Sequence, residues 1–180
     1  ARLLSGPLDN EVLDVIRGLE SFDDNSEIGL AIKSLGALAT RTPKKIAEEE
    51  YTELFYGVGA GGELSPYASF YLTGLVYSRP LANLRKDLEV LGITSEDSNK
   101  EPEDHIASLC EVMHGLISGA YGNTRSLQEQ KEFFNAHIAP WGDKFFVDLE
   151  GAKAAALYMP VGTIGKLFLS IERDGFEMVT

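Results

Sequence analysis

Helical spacing of apolar residues through nearly the whole 180-residue chain is the feature that most constrains its fold. Apolar side chains recur three or four residues apart, which is the period of an α-helix with one buried side. Strict alternation of apolar and polar residues over five or more positions, the pattern of a half-buried strand, is absent from the sequence. The sequence therefore predicts an all-α fold, a single helical bundle.

Residues that start and stop helices divide the first half of the chain. Ser26 and Thr42 are predicted N-caps, Pro43 occupies a first helical position, and Gly57 ends a helix. The predicted buried sides of the first four helices comprise Leu8, Val12, Val15, Ile16 and Leu19, then Ile28, Ile32, Leu35 and Leu38, then Ile46, Glu50 and Leu54, and finally Leu81, Leu84, Leu88 and Leu91.

Polar and glycine-rich stretches indicate how the domain is organised. We expect one domain of two subdomains, 1–91 and 102–180, joined by a hinge at 92–101 that contains the polar run TSEDSNKE. The glycine-rich patch at 57–62 lacks the Lys-Ser/Thr ending of a phosphate-binding loop, so we interpret it as a connector. The chain starts with ARLLSGPLDNEV, without methionine and with what resembles a last helical turn, which suggests a truncated N-terminus.

Charge and cysteine content exclude several classes of protein. The formal net charge of −12 argues against nucleic acid as a partner, because phosphate binding needs a basic surface. The same charge fits either simple solubility or a cationic partner. Cys110 is the only cysteine, so no internal disulfide is expected, and it lies in an apolar run where a small buried side chain fits. No apolar run reaches the ~18 residues of a membrane span, so a cytoplasmic protein is expected.

The stretch NKEPEDHIASLCEVM, residues 99–113, has the composition of a helix start. Pro102 is expected at the first helical position, with Glu103 and Asp104 in the first turn, where the helix dipole favours negative charge. The apolar side behind them would comprise Ile106, Leu109, Cys110, Met113 and Ile117. His105 is then expected to be a neutral hydrogen-bond donor or acceptor, because the dipole disfavours an imidazolium.

A metal- or nucleotide-dependent hydrolase that uses Glu101, Asp104 and His105 is the alternative function for the same stretch. These residues lie three and four positions apart and could share one helix side. The His-Glu-x-x-His pattern of helical zinc sites is absent, as is the Gly-x-Ser-x-Gly turn of serine hydrolases. His114 and His137 could complete a ligand set only through the tertiary fold.

Two aromatic clusters frame this stretch in the sequence. LSPYASFYLTG, residues 64–74, suits either a groove for an extended peptide or ordinary core packing, because tyrosine and serine combine contact area with hydroxyl groups. EFFNAHIAPWGDKFF, residues 132–146, indicates core packing from two helices that meet at Pro140. Its predicted core residues are Phe133, Phe134, Trp141, Phe145 and Phe146.

Four elements in a fixed order resemble the TorD/DmsD/NarJ-type chaperones, the redox enzyme maturation proteins. They are Tyr-x-x-Leu-Phe at 51–55, Ser-Pro-Tyr-x-Ser-x-Tyr at 65–71, Glu-Pro-Glu-Asp-His at 101–105 and Phe-Phe-x-x-His-Ile-x-Pro-Trp at 133–141. The Glu-Pro-x-Asp-His element is the most specific, and the resemblance spans essentially the whole chain.

The resemblance implies a cytoplasmic, non-enzymatic chaperone. Such proteins bind the twin-arginine leader of a molybdenum-cofactor enzyme precursor, hold its catalytic subunit for cofactor insertion and delay export. The implied peptide-binding residues are Glu101, Pro102, Asp104 and His105, with Tyr67, Ser69 and Tyr71 across a groove. Asp104 would receive a leader arginine. The resemblance implies no catalytic residue, no metal and no resident cofactor, but weak guanine nucleotide binding and domain swapping into a homodimer at the hinge.

The sequence departs from the family pattern at two places. Ala68 stands where some relatives carry glutamate, and the glycine-rich patch has no counterpart that we can match. The client enzyme stays open among dimethyl sulfoxide, trimethylamine oxide and nitrate reductases and formate dehydrogenase. A purely architectural helical scaffold is the third hypothesis, and it predicts that no leader peptide binds.

Overall fold

The computed structural model describes residues 1–20, 23, 25–57, 61–94 and 101–178. Within these ranges the regular structure is helical, apart from an isolated antiparallel bridge between Tyr67 and His105. The prediction of an all-α fold is confirmed. The α-helices are α1 Asn10–Arg17, α2 Glu27–Arg41, α3 Lys44–Tyr51, α4 Ala68–Thr73, α5 Arg79–Leu91, α6 Ile106–Ser118, α7 Leu127–His137, α8 Gly142–Glu150 and α9 Met159–Glu177, and a π-helical turn at Thr52–Tyr56 follows α3.

The chain divides into two compact units, which we name after their position in the sequence. The middle unit comprises Pro66–Gly142 and Arg173–Thr180 with Ala1, and the flanking unit comprises Arg2–Ser65 and Asp143–Glu172. The predicted division at a 92–101 hinge stays a prediction, since residues 95–100 of that segment lie outside the described residues. Residues 58–60 of the glycine-rich patch also lie outside them.

Side-chain caps explain where several helices begin. The Asp9 carboxylate accepts the Val12 N–H at 2.8 Å, and α1 starts at the next residue. Ser26 Oγ accepts the Gly29 N–H at 3.2 Å, which confirms the predicted cap of α2. Each cap satisfies an N–H group that has no partner inside the helix.

The predicted helix end at Gly57 is confirmed. The Gly57 N–H donates to the Thr52 carbonyl at 2.6 Å and closes the π-helical turn. Gly57 has a φ of +65°, and a Cβ atom there would lie 1.9 Å from the Gly61 carbonyl oxygen. The position therefore requires glycine. At the start of α3, the N-cap is Pro43 rather than the predicted Thr42, and the helix begins at Lys44.

Four residues that were predicted to be buried are exposed: Val15, Leu19, Ile46 and Ile117. In each helix the buried side is centred about one position away from the predicted one. The residues that do face the interior include Leu13 of α1, Ala47 and Tyr51 of α3, and Val112 and Leu116 of α6. Leu19 is exposed because α1 ends at Arg17, two residues before the last residue of its predicted buried side.

Helix α6 begins at Ile106, so the prediction that Pro102 occupies its first position is wrong. Pro102 instead starts a tight turn in which the His105 N–H donates to the Pro102 carbonyl at 3.1 Å. Two backbone hydrogen bonds to another segment hold this turn: Ala68 N–H to the Asp104 carbonyl at 3.0 Å, and Ile106 N–H to the Pro66 carbonyl at 2.9 Å. Tertiary pairing of the backbone thus overrides the local proline signal.

A buried carboxylate organises the flanking unit. Glu50 is 7% exposed. It accepts the N–H groups of Ala156 at 2.8 Å, Leu157 at 3.0 Å and Tyr158 at 2.8 Å. These donors lie immediately before α9, where the helix dipole also favours a negative charge. The predicted burial of Glu50 is confirmed, and its carboxylate holds the start of α9.

The middle unit contains α4, α5, α6 and α7. Its buried residues include Leu81, Leu84 and Leu88 of α5, as predicted. All five aromatic residues that were predicted to be core are buried, and they are Phe133, Phe134, Trp141, Phe145 and Phe146. Among the described residues, none of the helices is both long enough and apolar enough to cross a membrane.

Candidate functional site

Two segments of the middle unit, 66–71 and 101–106, lie side by side through the backbone hydrogen bonds described above. The Asp104 side chain joins them as well, because its Oδ2 accepts the Ser69 N–H at 2.8 Å. Ser69 is the second residue of α4, so Asp104 caps a helix from which it is 35 residues distant in sequence. The tertiary fold therefore supplies the cap that Tyr67, at the N-cap position, does not provide.

His105 caps the neighbouring helix α6. Its Nδ1 accepts the Ala107 N–H at 3.1 Å. Burial lowers the pKa of His105 to about 4, despite the opposing charges of Glu101 and Asp104. The ring is therefore neutral at pH 7, as expected, with its proton on Nε2 and Nδ1 free to act as the acceptor.

Tyr67 fastens the start of the 101–106 segment. Its hydroxyl donates to the Glu101 carboxylate, and its ring meets the His105 ring edge-on at a centroid distance of 5.1 Å. Glu103 in turn accepts from Arg85 Nη2 at 2.8 Å. The turn is therefore held by Tyr67 at the start of α4 and by Arg85 on α5.

The structure brings five of the seven predicted peptide-binding residues into direct contact, and they are Tyr67, Ser69, Glu101, Asp104 and His105. Pro102 supplies the turn that precedes His105 and is buried. Tyr71 is half-buried, and its ring lies 5.3 Å from that of Trp141. Whether these seven residues bind a peptide stays a prediction.

An open cavity of about 330 Å³, which we call the Asp104 cavity, lies beside this turn. Apolar side chains from three helices form part of its wall, among them Leu72, Leu84 and Leu109. The polar part of the wall consists of Asn83, Lys86, Asp87, Asp104 and His137. A second cavity of about 340 Å³ shares Asp87, Ala136 and His137 with the first.

Asp104 is an unusual wall residue because it is only 1% exposed and incompletely paired. Its Oδ2 accepts from Ser69, but its Oδ1 is buried without a hydrogen-bond partner among the described residues, as is the neighbouring Ser69 Oγ. Leaving a buried polar atom unpaired costs free energy. A ligand that donates a hydrogen bond to Oδ1 would remove this cost.

Asp87 and His137 form a hydrogen-bonded pair on the cavity wall. The sequence analysis did not assign this pair to the site. His137 Nε2 lies 2.8 Å from Asp87 Oδ2 and joins α7 to α5. The Trp141 indole N–H donates to the His137 carbonyl at 2.7 Å. Burial lowers the pKa of His137, and the hydrogen bond with Asp87 partly opposes this effect.

One signal in the sequence could have identified His137. It belongs to the Phe-Phe-x-x-His element at 133–137, whereas Asp87 belongs to no motif and is recognisable only in the fold.

Metal coordination has little support from this geometry. Across the ranges that the structure describes, no group of three or more His, Cys, Asp or Glu side chains is arranged to hold a metal ion. His105 Nδ1 and Asp104 Oδ2 already accept backbone N–H groups, so those two atoms are engaged. Within those ranges the hydrolase hypothesis therefore lacks a set of three metal ligands.

Comparison with known proteins places the chain in a family. The profile of the family described as nitrate reductase delta subunit matches residues 23–147. The match covers more than half of the chain, and the chain belongs to this family.

Individual relatives agree with this assignment. Chaperone protein TorD from Vibrio cholerae serotype O1 is 26% identical over 157 residues, which cover 83% of this chain and 71% of that protein. Chaperone protein TorD from Photobacterium profundum is 29% identical over 142 residues, which cover 72% of this chain and 64% of that protein. The resemblance to the TorD-type family is confirmed, and these names indicate a chaperone rather than an enzyme.

Proposed function

We propose that this protein is a cytoplasmic chaperone that binds the twin-arginine leader of a molybdenum-cofactor oxidoreductase precursor. In this role it holds the catalytic subunit during cofactor insertion and delays export until that subunit is folded. The name that its relatives carry, chaperone protein TorD, and the family match support a role in redox enzyme maturation. The leader, the precursor and the cellular compartment are the proposed parts.

The observation that carries the proposal is the unpaired Oδ1 of Asp104 on the wall of an open cavity. A carboxylate that belongs to a residue lining a cavity and keeps one oxygen unpaired suits a cationic hydrogen-bond donor such as arginine. Oδ2 keeps its bond to Ser69, so the cap of α4 and the binding of arginine do not compete for the same atom. Asp104 thus serves the fold and the peptide with different oxygens.

An apolar surface begins next to the cavity and suits the apolar part of a leader. Phe70, Leu72, Leu75, Val76 and Tyr77 are all exposed, and Leu72 also lines the cavity. Contiguous exposed apolar residues are typical of protein interaction sites. Tyr77 adopts a φ of +55°, a conformation that is uncommon for a residue other than glycine and that occurs often at binding sites.

The remaining predicted residues take supporting roles in this proposal. Pro102 and Glu101 fix the turn that presents Asp104, and Tyr67 holds Glu101 in place. Neutral His105 donates its Nε2–H to a carbonyl of the peptide. Ser69 holds the Asp104 carboxylate through its backbone N–H, and the Tyr71 ring packs beside Trp141. The net charge of −12 speeds the encounter with a cationic leader and makes it sensitive to salt.

A calorimetric titration with a panel of leaders tests the proposal. The panel contains leader peptides of dimethyl sulfoxide, trimethylamine oxide and nitrate reductases and of formate dehydrogenase. We expect one of them to bind, and Asp104→Asn to weaken that binding at least about tenfold because a charge-assisted hydrogen bond is lost. Glu89→Gln, which removes the same charge from an exposed site on α5, is the matched control and should bind like the wild type.

The histidine is tested with two variants, because it also caps α6. His105→Leu removes both the cap and the donor, whereas His105→Asn keeps a capping side chain. We expect both variants to bind the leader more weakly while circular dichroism shows an intact helical fold for His105→Asn. Failure of every leader to bind, or unchanged affinity in all Asp104 and His105 variants, contradicts the proposal.

Purification of the tagged protein from its own cells tests the identity of the client. The expected partner is a precursor catalytic subunit that still carries its leader, identified by mass spectrometry. A mature subunit without a leader would contradict leader recognition. Guanine nucleotide binding and a domain-swapped homodimer stay predictions from the family resemblance, and equilibrium dialysis and light scattering test them.

A further inference from the structure

We propose that two copies of this protein associate through α9, with the two helices antiparallel and related by a two-fold axis. The surface involved, which we call the α9 stripe, consists of Ile164, Leu167, Phe168 and Ile171. It lies in the flanking unit and outside residues 23–147, which the family profile matches. No segment is exchanged, so this association differs from domain swapping at the hinge, and it does not depend on the proposed leader binding.

One side of α9 is buried within the flanking unit. Val161 and Leu169 belong to the core. Helix α8 approaches at Gly165, where a Cβ atom would lie 2.2 Å from the Phe146 ring, so the two helices pack closely there. This side of α9 therefore has its partner within the chain.

The α9 stripe lies on another side of the helix and faces solvent. Phe168 is 49% exposed and Ile171 is 54% exposed, while Ile164 and Leu167 are partly exposed. The four residues follow the i, i+3, i+4, i+7 spacing of one helix side. Contiguous exposed apolar residues are typical of protein interaction sites. Covering them is favourable because apolar surface then leaves water.

The charge of this surface favours a second copy over a cationic partner. Lys166 is the only charged residue within 164–171, and its Nζ donates to the Glu150 carboxylate at 2.6 Å. The chain as a whole has a net charge of −12, which keeps two copies apart at their acidic surfaces. At the α9 stripe two copies can meet without bringing acidic residues of 164–171 together. A cationic leader, in contrast, finds no carboxylate within the stripe.

The spacing of the four residues is self-complementary. It reads the same in both directions along the helix, because the steps are three, one and three residues. In an antiparallel two-fold pair, Ile164 is therefore level with Ile171 of the second copy, and Leu167 is level with Phe168 of the second copy. Each apolar side chain then meets an apolar side chain. A parallel pair would instead place the two Lys166 side chains at the same level, which is unfavourable.

The size of the contact limits its strength. The α9 stripe covers two helical turns, which is less surface than a permanent dimer buries. We therefore expect a weak and reversible dimer, which forms as the protein concentration rises from about 10 μM to about 1 mM and dissociates on dilution.

Sedimentation velocity of the whole protein over this concentration range tests the association. Phe168→Glu places a charge in the apolar contact and should weaken the association at least about tenfold. Val90→Glu adds the same charge on α5, where Val90 is 85% exposed, and is the matched control that should associate like the wild type. Both positions are exposed, so circular dichroism should show an unchanged helix content for both variants.

Mixing two variants tests the antiparallel pairing. Ile164→Lys and Ile171→Glu should each weaken self-association, since a charge then meets an apolar side chain. In a mixture, the lysine introduced in one copy is level with the glutamate introduced in the other. Heterodimers should therefore form about threefold or more tightly than either homodimer. Fluorescence anisotropy with one labelled variant measures this gain.

Three results overturn the inference. They are a monomer at every concentration up to about 1 mM, equal effects of Phe168→Glu and Val90→Glu, and no gain on mixing the two isoleucine variants. A dimer that persists on dilution and survives Phe168→Glu also overturns it, because it indicates domain swapping. A wild-type monomer that loses a co-purifying precursor on Phe168→Glu would assign the α9 stripe to the client instead of a second copy.

Discussion

Two buried carboxylates, one in each unit, have opposite degrees of pairing. Glu50 in the flanking unit accepts three backbone N–H groups, so both of its oxygens are engaged. Asp104 in the middle unit is still less exposed, yet it accepts one N–H with Oδ2 and leaves Oδ1 unpaired beside a cavity. The contrast indicates that burial alone does not define a functional acid. The difference lies in pairing, since the acid with an unpaired oxygen is also the one that lines a cavity.

The largest effect should come from removing Glu50. Glu50→Ala leaves three N–H groups without an acceptor, and we expect it to lower the free energy of unfolding by about 4 kcal/mol. Urea unfolding followed by circular dichroism measures this change. Glu49→Ala is the control, because the neighbouring Glu49 side chain is exposed and forms an ion pair with Lys45. This substitution should cost less than about 0.5 kcal/mol. A Glu50→Ala cost as small as that of Glu49→Ala would remove the distinction between the two carboxylates.

The next effect concerns pH and the histidine beside Asp104. The pKa of His105 is about 4 in the folded protein and near its ordinary value of 6.5 in the unfolded chain. Between these values the unfolded chain binds more protons, so the free energy of unfolding should fall as the pH is lowered from 6.5 to 4. The loss expected from this one group is about 3 kcal/mol.

Substitution isolates that contribution from those of other groups. His105→Asn keeps a capping side chain but removes the titration, so its stability should depend less on pH over this range. Urea unfolding at several pH values measures the difference from the wild type. His114→Asn, at an exposed position on the same helix, controls for the loss of one histidine. Parallel slopes for all three proteins would contradict the assignment of a buried, neutral cap.

A smaller effect compares the amide variants of the two acids. Asp104→Asn should cost less than about 0.5 kcal/mol, because the amide oxygen still accepts from Ser69 and the amide nitrogen replaces the unpaired oxygen. Glu50→Gln should cost about 2 kcal/mol, because the new NH₂ group meets an N–H donor at either oxygen position. Thermal unfolding of both variants measures the contrast. Equal costs would mean that Asp104 Oδ1 has a partner that the geometry does not reveal.

The smallest effect should come from the exposed pair between Arg85 and Glu103. The Arg85 side chain is largely in solvent, where ion pairs are screened, so Arg85→Gln should cost about 0.5 kcal/mol or less. Thermal unfolding at low and high salt measures it. This variant supplies the reference for an ordinary surface charge, and a cost similar to that of Glu50→Gln would show that the turn depends on Arg85.

Local sequence signals predicted much of the fold because caps and stops act within a few residues. Ser26 and Gly57 act through neighbouring backbone groups, and both predictions are confirmed. The start of α6 was mispredicted at Pro102, because the deciding hydrogen bonds come from Pro66 and Ala68, far away in the sequence. The π-helical turn after α3 has no local sequence signal that we can identify.

The site was predictable to a different extent. The resemblance to TorD-type chaperones selected Tyr67, Ser69, Glu101, Asp104 and His105, and the fold brings these five together. Helical spacing alone assigned Asp104 and His105 to a helix start, with a metal site as an alternative. Asp87 could not be found from the sequence, because it is one of two acidic residues on α5 and only the tertiary fold places it on the cavity wall.

The bonds of Glu50 also have a consequence for the order of events during synthesis. Their partners lie 106 to 108 residues later in the chain, and Glu63 likewise holds Lys153 and Ala154 about 90 residues away. A nascent chain leaves the ribosome from its N-terminus, so residues 2–65 emerge long before these partners exist. Contacts so distant in sequence form slowly. The flanking unit therefore cannot complete its folding before residues 153–158 have been synthesised, and the Glu50 carboxylate stays hydrated until then.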